Sequence, residues 1–296
     1  MAAGEDRAAG EDRARLRAEI DLAVVALSTA GVPSPRVDAT ALAAHALGVS
    51  QLVLATAPPL PPGFDSEYAR LVERRRRREP LQHIVGHTAF RRVRLRVEPG
   101  VFVPRPETEV VAGAAIDEAA LITDRRPLVV DLCSGAGPIA ASVAAEVPGA
   151  RVIAVDVDPA AVALTRVNLA GLDARTVQGD VADPTLLSES DGTVDVVVSN
   201  PPYIPPDAVP IDAEVHEHDP PLALYGGGPD GLDLPRAVIG AAARLLRPGG
   251  LLVMEHADAQ GSAVRSLVTA AGEFADARTH QDLTGRDRFV TARRSG

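Results

Sequence analysis

Ser199-Asn200-Pro201-Pro202-Tyr203, directly after the apolar run Val194-Asp195-Val196-Val197-Val198, is the stretch of this 296-residue chain best suited to chemistry. Two consecutive prolines hold the backbone extended and keep its carbonyls out of any helix. The Asn200 amide and the Tyr203 ring then face one cleft. A planar NH2 group fits such a cleft, donating one hydrogen bond to the Asn200 side-chain oxygen and one to the Pro201 carbonyl while Tyr203 covers its flat face. A nitrogen held that way is aimed at an electrophile, and orientation supplies much of a rate. Asn-Pro alone is also a common turn. Its place after a buried strand, with other ligand loops nearby, favours a site.

A second group of residues reads as a cofactor site. Val129-Val130-Asp131-Leu132-Cys133-Ser134-Gly135-Ala136-Gly137 ends an apolar strand in a glycine-rich turn that opens a helix, with Pro138 at an early helical position. Gly135 and Gly137 let a ligand approach the backbone, and free helix N–H groups can meet a carboxylate or phosphate. Asp131 either fixes the turn by accepting N–H bonds or meets a cationic end of the cofactor. Asp156, closing Ala154-Val155-Asp156, is placed to accept two ribose hydroxyls. Asp158, before Pro159, reads as a helix N-cap. Asp180, beside Val181, is either a loop aspartate or a flank for an adenine ring. Gly135, Gly137 and Ala140 also fit the dinucleotide template, so a nicotinamide-linked enzyme competes, but it leaves Asn200 to Tyr203 without a role.

From Pro127 onward strands and helices alternate. Leu128–Leu132, Val152–Asp156, Val194–Ser199 and Leu251–Glu255 read as strands, and Gly135–Ala145, Pro159–Ala170 and Leu234–Leu246 as helices. Fully apolar strands between helices imply an α/β fold, a doubly wound and mostly parallel sheet covered on both faces, with ligands beyond the strands' carboxyl ends.

The first part of the chain is different. Leu16, Ile20, Ala23, Val24 and Leu27 recur at helical spacing before Gly31 and Pro33, and Asp38–Leu47 and Phe64–Arg78 read as further helices. The expected plan is a disordered tail over 1–14, where a hexamer is duplicated, a helical domain over 15–80, a connector or hairpin over 81–105, and the α/β domain over 106–296. The run Arg74 to Arg78 invites an RNA-binding reading, but a charge run at a helix end is more often a solvated face.

A formal net charge of −10 argues against broad attraction to nucleic acid. Lysine is absent, which removes Schiff-base and P-loop chemistry. Cys133 is the single cysteine, which excludes an internal disulfide and a cysteine-based zinc site. No metal is expected: His83 and His87 lack a general base between them, and His216 and His218 lack further ligands. No apolar run is long enough to span a membrane and no secretory leader is visible, so a soluble, cytoplasmic protein is expected.

Asn200-Pro201-Pro202-Tyr203 resembles the acceptor motif of amino methyltransferases that use S-adenosylmethionine, and Asp131 to Gly137 resembles their cofactor loop. Those two motifs fit adenine-N6 DNA or RNA enzymes as well as protein-glutamine ones, since both acceptors present a conjugated NH2. Phe102-Val103-Pro104-Arg105-Pro106-Glu107-Thr108-Glu109 is similar to the signature of the HemK/PrmC family, the release factor glutamine methyltransferases. Leu81 to Gly86, Asp219 to Gly227 and Gly285 to Arg288 match it too. The resemblance implies a Rossmann-like class I methyltransferase domain with a small helical N-terminal domain, acting on the glutamine of the GGQ loop of peptide chain release factors. It implies that Asp131, Cys133, Ser134, Gly135, Ala136, Gly137, Asp156, Asp180, Val181 and Asn200 hold the cofactor. Asn200, Pro201, Pro202 and Tyr203 would hold the glutamine, with Arg105 and Glu107 toward the substrate. Cys133 stands where the family usually has glycine, and Asp219 where it has Glu, in a segment expected to meet the protein substrate. A protein with no catalytic activity and a role in binding alone is the remaining competitor.

Overall fold

Leu16, Ile20, Ala23 and Leu27, three and four residues apart, form the buried stripe of helix α1 (Ala2–Thr29). They pack on Ala39, Leu42 and Ala43 of α2 (Pro35–Ala46), Phe64, Tyr68 and Leu71 of α3 (Phe64–Arg76), and Ile84 of α4 (Leu81–Val85). Each such leucine or isoleucine contributes roughly 1.5–3 kcal/mol by leaving water. The structure, a computed structural model, describes residues 2–208 and 213–296. It divides into two units, one holding the helices up to Gly86 together with α8 (Ala213–His218), the other holding the rest from His87.

Two parts of the expected plan are corrected. The disordered tail over 1–14 is not found, because the chain is helical from Ala2. Ala, Glu and Arg are strong helix formers, and a helix already fixed by the Leu16 to Leu27 stripe extends through them without a new nucleus. The expected connector over 81–105 is also divided, since the boundary falls inside it, between Gly86 and His87. Leu81–Val85 is helical and its Ile84 belongs to the helical core. The hairpin β1 (His87–Phe90) and β2 (Val93–Arg96) belongs to the second unit, since Phe90 and Leu95 pack on Val111, Ala112 and Ala115 of α5 (Glu109–Ala120).

The arginine run is a solvated, ion-paired face at Arg76 and Arg77 but turns inward at Arg75. Arg76 and Arg77 pair with Glu73, Arg74 pairs with Glu79, and Arg75 is buried. Arg75 gives Nε to Asp38 at 2.7 Å and Nη2 to Glu214 at 2.8 Å. Burial opposes its charge, but the two carboxylates prevail and raise its pKa.

The second unit is built on a seven-stranded sheet. Its strands are β3 (Leu128–Leu132), β4 (Arg151–Asp156), β5 (Ala174–Gln178), β6 (Val194–Ser199), β7 (Leu246–Glu255), β8 (Phe274–Gln281) and β9 (Asp287–Arg294), in spatial order β5-β4-β3-β6-β7-β9-β8. The strands from β5 to β7 are parallel, and β9 is antiparallel to both neighbours. Side chains alternate between faces. Val130, Leu132, Val155, Val197, Leu252 and Met254 meet Val238 and Leu245 of α9 (Asp233–Leu245) and Val264 of α10 (Gly261–Ala270). Val129, Val152, Ala154, Val196, Val198 and Val253 meet α5 and Ile139 and Val143 of α6 (Pro138–Glu146). Helix α7 (Pro159–Asn168) follows β4, and Asp158 caps it by accepting the Ala160 amide at 2.9 Å. The chain leaves β3 in one direction and returns through β6 in the other, so the strand order reverses between these two neighbours. In open sheets of this kind ligands bind beyond the carboxyl ends of the strands at such a point.

Asp195 interrupts the apolar run of β6 and is 1% exposed. Arg125 at 2.6 Å, Arg247 at 2.5 Å and the Leu128 amide at 2.9 Å donate to it. Burial pushes its pKa up, and these donors outweigh that and hold it below the usual range. Among the described residues no helix is long and apolar enough to cross a membrane.

Candidate active site

The glycine loop after β3 is held from outside the cleft. Thr165 Oγ1 donates to the Gly135 carbonyl at 2.6 Å and Asn168 Nδ2 to the Ala136 carbonyl at 2.8 Å, both from α7. Gly135 and Gly137 have φ of 55° and 80°. At Gly137 a Cβ would stand 3.0 Å from Thr165 Cγ2, whereas one at Gly135 would meet nothing within 4 Å. Gly137 thus serves close packing and Gly135 borders open space.

Two expected carboxylates shape this loop. Asp131 is fully buried, and its Oδ2 accepts the Ala140 amide of α6 at 3.0 Å, while Oδ1 has no partner among the described residues. Burial pushes its carboxyl up to about 8, against the Ala140 bond, with Asp156 adding repulsion. Asp156 Oδ2 accepts the Gly135 amide at 2.7 Å and Oδ1 the Asp158 amide at 3.0 Å. It remains half-buried, and each oxygen keeps a lone pair beyond these bonds. Burial raises its pKa, and the amides of Asp158 and Gly135 counter the rise.

The other expected cofactor residues sort by environment. The Ser134 hydroxyl is buried and unpartnered among the described residues, and Ala136 is buried against Val101. Cys133 takes φ of 59°, a left-handed value that suits the family's glycine and strains a cysteine by about 1 kcal/mol. Burial, then the charge of Asp156, pushes its thiol far above the ordinary range, so it is no nucleophile. Asp180 is exposed and accepts the Ala182 amide at 2.9 Å in a local turn. Val181 is buried against the sheet. Val157, directly after Asp156, is an apolar side chain left 45% exposed.

An unpartnered buried carboxylate oxygen at Asp131, a half-exposed acid at Asp156 and open space at Gly135 suit one ligand with an ammonium and a ribose. S-adenosylmethionine has both, and the donor set fits it.

The loop expected to take the acceptor, Asn200 to Tyr203, follows β6, whose Ser199 lies opposite Leu132 of β3. Ser199 Oγ donates to the Leu132 carbonyl at 2.7 Å and locks the ends of β6 and β3 together. Asn200 Nδ2 donates to Thr108 Oγ1 at 3.2 Å. Tyr203 donates its hydroxyl to Glu255 Oε1 at 3.4 Å. Ile204 bridges to Tyr225, Gly226 donates to the Ile204 carbonyl at 3.1 Å, and Gln260 Nε2 donates to the Tyr203 carbonyl at 2.9 Å. Among the described residues, neither the Asn200 side-chain oxygen nor the Pro201 carbonyl accepts a hydrogen bond. Burial, then Glu255, raises the Tyr203 pKa, so the ring stays a neutral phenol.

Arg105 does not stand open toward a substrate. Its guanidinium pairs with the buried Asp219 and lies 5.2 Å from the Phe102 ring centre, while Asp219 Oδ1 also accepts the Val103 amide at 3.3 Å. Asp219, expected in a substrate-facing segment, instead ties the Val103 to Arg105 strap to the fold. Glu107 is exposed, and its charge reaches both Tyr203 and Glu255. Thr108, Glu255 and Gln260 were not singled out from sequence. Among the described residues no cluster of three or more His, Cys, Asp or Glu side chains is placed to hold a metal.

This fold and cleft are those of a class I S-adenosylmethionine-dependent methyltransferase. The sequence matches the family model described as PrmC N-terminal domain over residues 20–86 and that described as Methyltransferase small domain over residues 92–214. It is 49% identical over 281 residues to the release factor glutamine methyltransferase of Streptomyces coelicolor, covering 95% of this chain and 98% of that relative. The chain belongs to the release factor glutamine methyltransferase family. It is also 44% identical over 283 residues to the 4-amino-L-phenylalanine/4-methylamino-L-phenylalanine methyltransferase of Streptomyces pristinaespiralis, covering 93% of this chain and 94% of that one. A solved protein-(glutamine-N5) methyltransferase from Alicyclobacillus acidocaldarius is 24% identical with a TM-score of 0.42, over 66% of this chain and 95% of that one.

Proposed function

We propose that this enzyme methylates the side-chain amide nitrogen of the glutamine in the GGQ loop of a peptide chain release factor, in the cytoplasm and without a nucleic-acid substrate. The observation that carries this reading is the pair of unused acceptors, the Asn200 side-chain oxygen and the Pro201 carbonyl, on a loop held rigid next to the cofactor cleft.

An amide nitrogen is a weak nucleophile because its lone pair is shared with the carbonyl. Bound S-adenosylmethionine supplies a methyl carbon on a positive sulfur. Asn200 and Pro201 accept the two N–H bonds of the amide, and Tyr203 contacts its flat face, which fixes the nitrogen's direction. With S-adenosylmethionine bound, methyl transfer to that nitrogen would break the sulfur–carbon bond and leave a neutral thioether, and the N–H proton, acidic only at that stage, would pass to water. No general base is required early in the step. Asp131 and Asp156 are the groups that would hold the cofactor's ammonium and ribose.

A second reading has a specific support: a relative of similar identity and coverage is named for an aromatic amine, whose NH2 is also conjugated and flat. The test is transfer of labelled methyl to a purified release factor, to its Gln→Ala version in the GGQ loop, to 4-amino-L-phenylalanine and to DNA. Label on the intact loop alone is the expected result. Label on the amino acid alone assigns the aromatic amine, and label on DNA alone assigns an adenine-N6 enzyme. Asn200→Ala should remove about 100-fold or more of the turnover while cofactor affinity, read by calorimetry, stays near wild type.

A further inference from the structure

We infer that Asp219 is a positioning residue that holds both ends of the acceptor loop, Asn200 through the strap before α5 and Tyr203 through the segment before α9. The inference rests on the reading of Asn200 to Tyr203 as the loop that takes a substrate NH2.

Asp219 is a buried carboxylate, 5% exposed, and both of its oxygens are used on the strap. Oδ1 accepts the Val103 amide at 3.3 Å and Oδ2 pairs with the Arg105 guanidinium. A charge taken out of water is tolerated only with its partners in place, so these contacts fix the strap more firmly than an apolar one would. From Arg105 the route to Asn200 is short. Pro104 and Pro106 stiffen the chain on either side of Arg105, whose carbonyl accepts the Thr108 amide at 3.2 Å. Thr108, 2% exposed, in turn accepts Asn200 Nδ2 on its Oγ1 at 3.2 Å.

The chain after Asp219 leads to the other end of the loop. Pro220 and Pro221 follow directly and restrict the backbone, and the single turn Pro221–Ala223 is closed by the Leu224 and Tyr225 amides on the Pro221 carbonyl, each at 3.1 Å. The Leu224 carbonyl accepts the Ile204 amide at 2.9 Å, and the Gly226 amide donates to the Ile204 carbonyl at 3.1 Å. Ile204 is the residue after Tyr203. One side chain thus stands where two stiff segments of the second unit meet, and each segment ends in hydrogen bonds to the acceptor loop. Releasing it lets Asn200 and Tyr203 move relative to each other, and the groups that orient a substrate NH2 lose their mutual geometry. Arg105 serves this clamp and not the substrate.

Asp195 supplies a control of the same chemistry. It is equally buried, accepts the Leu128 amide at 2.9 Å and pairs with Arg125 and Arg247, but it lies at the amino end of β6, away from Ser199 and Asn200.

The test compares Asp219→Asn with Asp195→Asn, since each keeps the side chain's shape and removes its charge. Both should lower the urea midpoint. With the acceptor that wild type methylates, Asp219→Asn should lose on the order of 100-fold in kcat at unchanged S-adenosylmethionine affinity, and Asp195→Asn should stay within about twofold. Arg105→Met removes the ion pair and leaves the Val103 bond, so it should lose about tenfold, and it carries the kinetic test alone if Asp219→Asn does not fold. The double variant Arg105→Met/Asp219→Asn should be no slower than Asp219→Asn, because both changes break one clamp. A second readout needs no acceptor. The chain has three tyrosines, Tyr68, Tyr203 and Tyr225, and with fluorotyrosine in their place each gives a fluorine resonance, assigned by Tyr68→Phe, Tyr203→Phe and Tyr225→Phe. In Asp219→Asn the resonances of Tyr203 and Tyr225 should move and that of Tyr68, in α3, should not. In Asp195→Asn all three should keep their wild-type positions. Wild-type kcat in Asp219→Asn or Arg105→Met, or an unmoved Tyr203 resonance in Asp219→Asn, overturns the inference. An additive double variant overturns it as well, because Arg105 would then act on the substrate by itself. Absence of turnover in wild type with every acceptor instead overturns the proposed function, while the fluorine resonances still report the clamp.

Discussion

Gln260 Nε2 donates to the Tyr203 carbonyl at 2.9 Å and to the Asp230 carbonyl at 3.2 Å, while its Oε1 accepts the Ala257 amide at 3.1 Å. One side chain thus joins the acceptor loop to the loop before α9 and to the turn after β7. It touches none of the groups that face the cofactor. Gln260→Ala is expected to lower kcat/KM for the acceptor about tenfold, near the worth of one net hydrogen bond, and to leave S-adenosylmethionine affinity unchanged. Steady-state kinetics beside calorimetry with the cofactor checks both halves.

Asp131 is a buried acid whose proton affinity is raised to about 8 by burial. Between the unfolded value near 4 and this folded value, the native protein holds a proton that the unfolded chain has lost, so this group's contribution to stability falls as pH rises through that window. Asp131→Asn keeps an oxygen for the Ala140 amide and abolishes the titration. Its melting temperature should match wild type near pH 4 and exceed it increasingly toward pH 8. Cofactor affinity should move the other way, falling about tenfold or more with the loss of a charge-assisted bond to the ammonium. Equal melting-temperature differences across the pH range would remove the burial argument.

The strands were legible where the sequence is locally unambiguous. Leu128–Leu132 and Val194–Ser199 are apolar runs each broken by a single aspartate, and both are strands over those residues. The irregular, non-helical backbone of Asn200 to Tyr203 was legible for a similar reason, since two prolines dictate it before any tertiary contact forms. Thr108 and Glu255 were not. Thr108 lies 92 residues from Asn200, and nothing in the periodicity of either segment records that they meet. Arg75 was read with its neighbours as one charge run, although it alone points inward. Only the third dimension supplies Asp38 and Glu214 and so separates it from Arg74 and Arg76.

That separation predicts unequal effects along the run. Arg75→Ala leaves Asp38, 6% exposed, without its partner and should destabilise the protein by roughly 3 kcal/mol. Arg77, with its side chain 75% exposed on Glu73, should change stability by less than about 0.5 kcal/mol when replaced by alanine. Arg75→Lys should recover only part of the loss, because a single ammonium cannot reproduce the two directions of the guanidinium. Urea unfolding of the three variants measures this directly, and equal midpoints for Arg75→Ala and Arg77→Ala would show that the burial of Arg75 carries no weight.

Two glycines separate catalytic geometry from stability. A Cβ on Gly226 would stand 1.9 Å from the Gly231 carbonyl oxygen and 2.6 Å from that of Pro202. These atoms are backbone and cannot swing aside, so Gly226→Ala must push the loop that carries Pro202 and Tyr203. A displacement near 1 Å at the acceptor should cost about 100-fold in turnover. The cofactor loop hangs on β3, α6 and α7 instead, so cofactor binding should survive. Gly240, exposed within α9, would meet nothing within 4 Å, and there the same substitution reduces the entropy of the unfolded chain. Gly240→Ala should raise stability by roughly 0.5–1 kcal/mol at unchanged turnover. If Gly226→Ala instead kept wild-type turnover, the acceptor loop would not need the close backbone contact that now fixes it, and rigidity there would no longer explain the orientation of the amide.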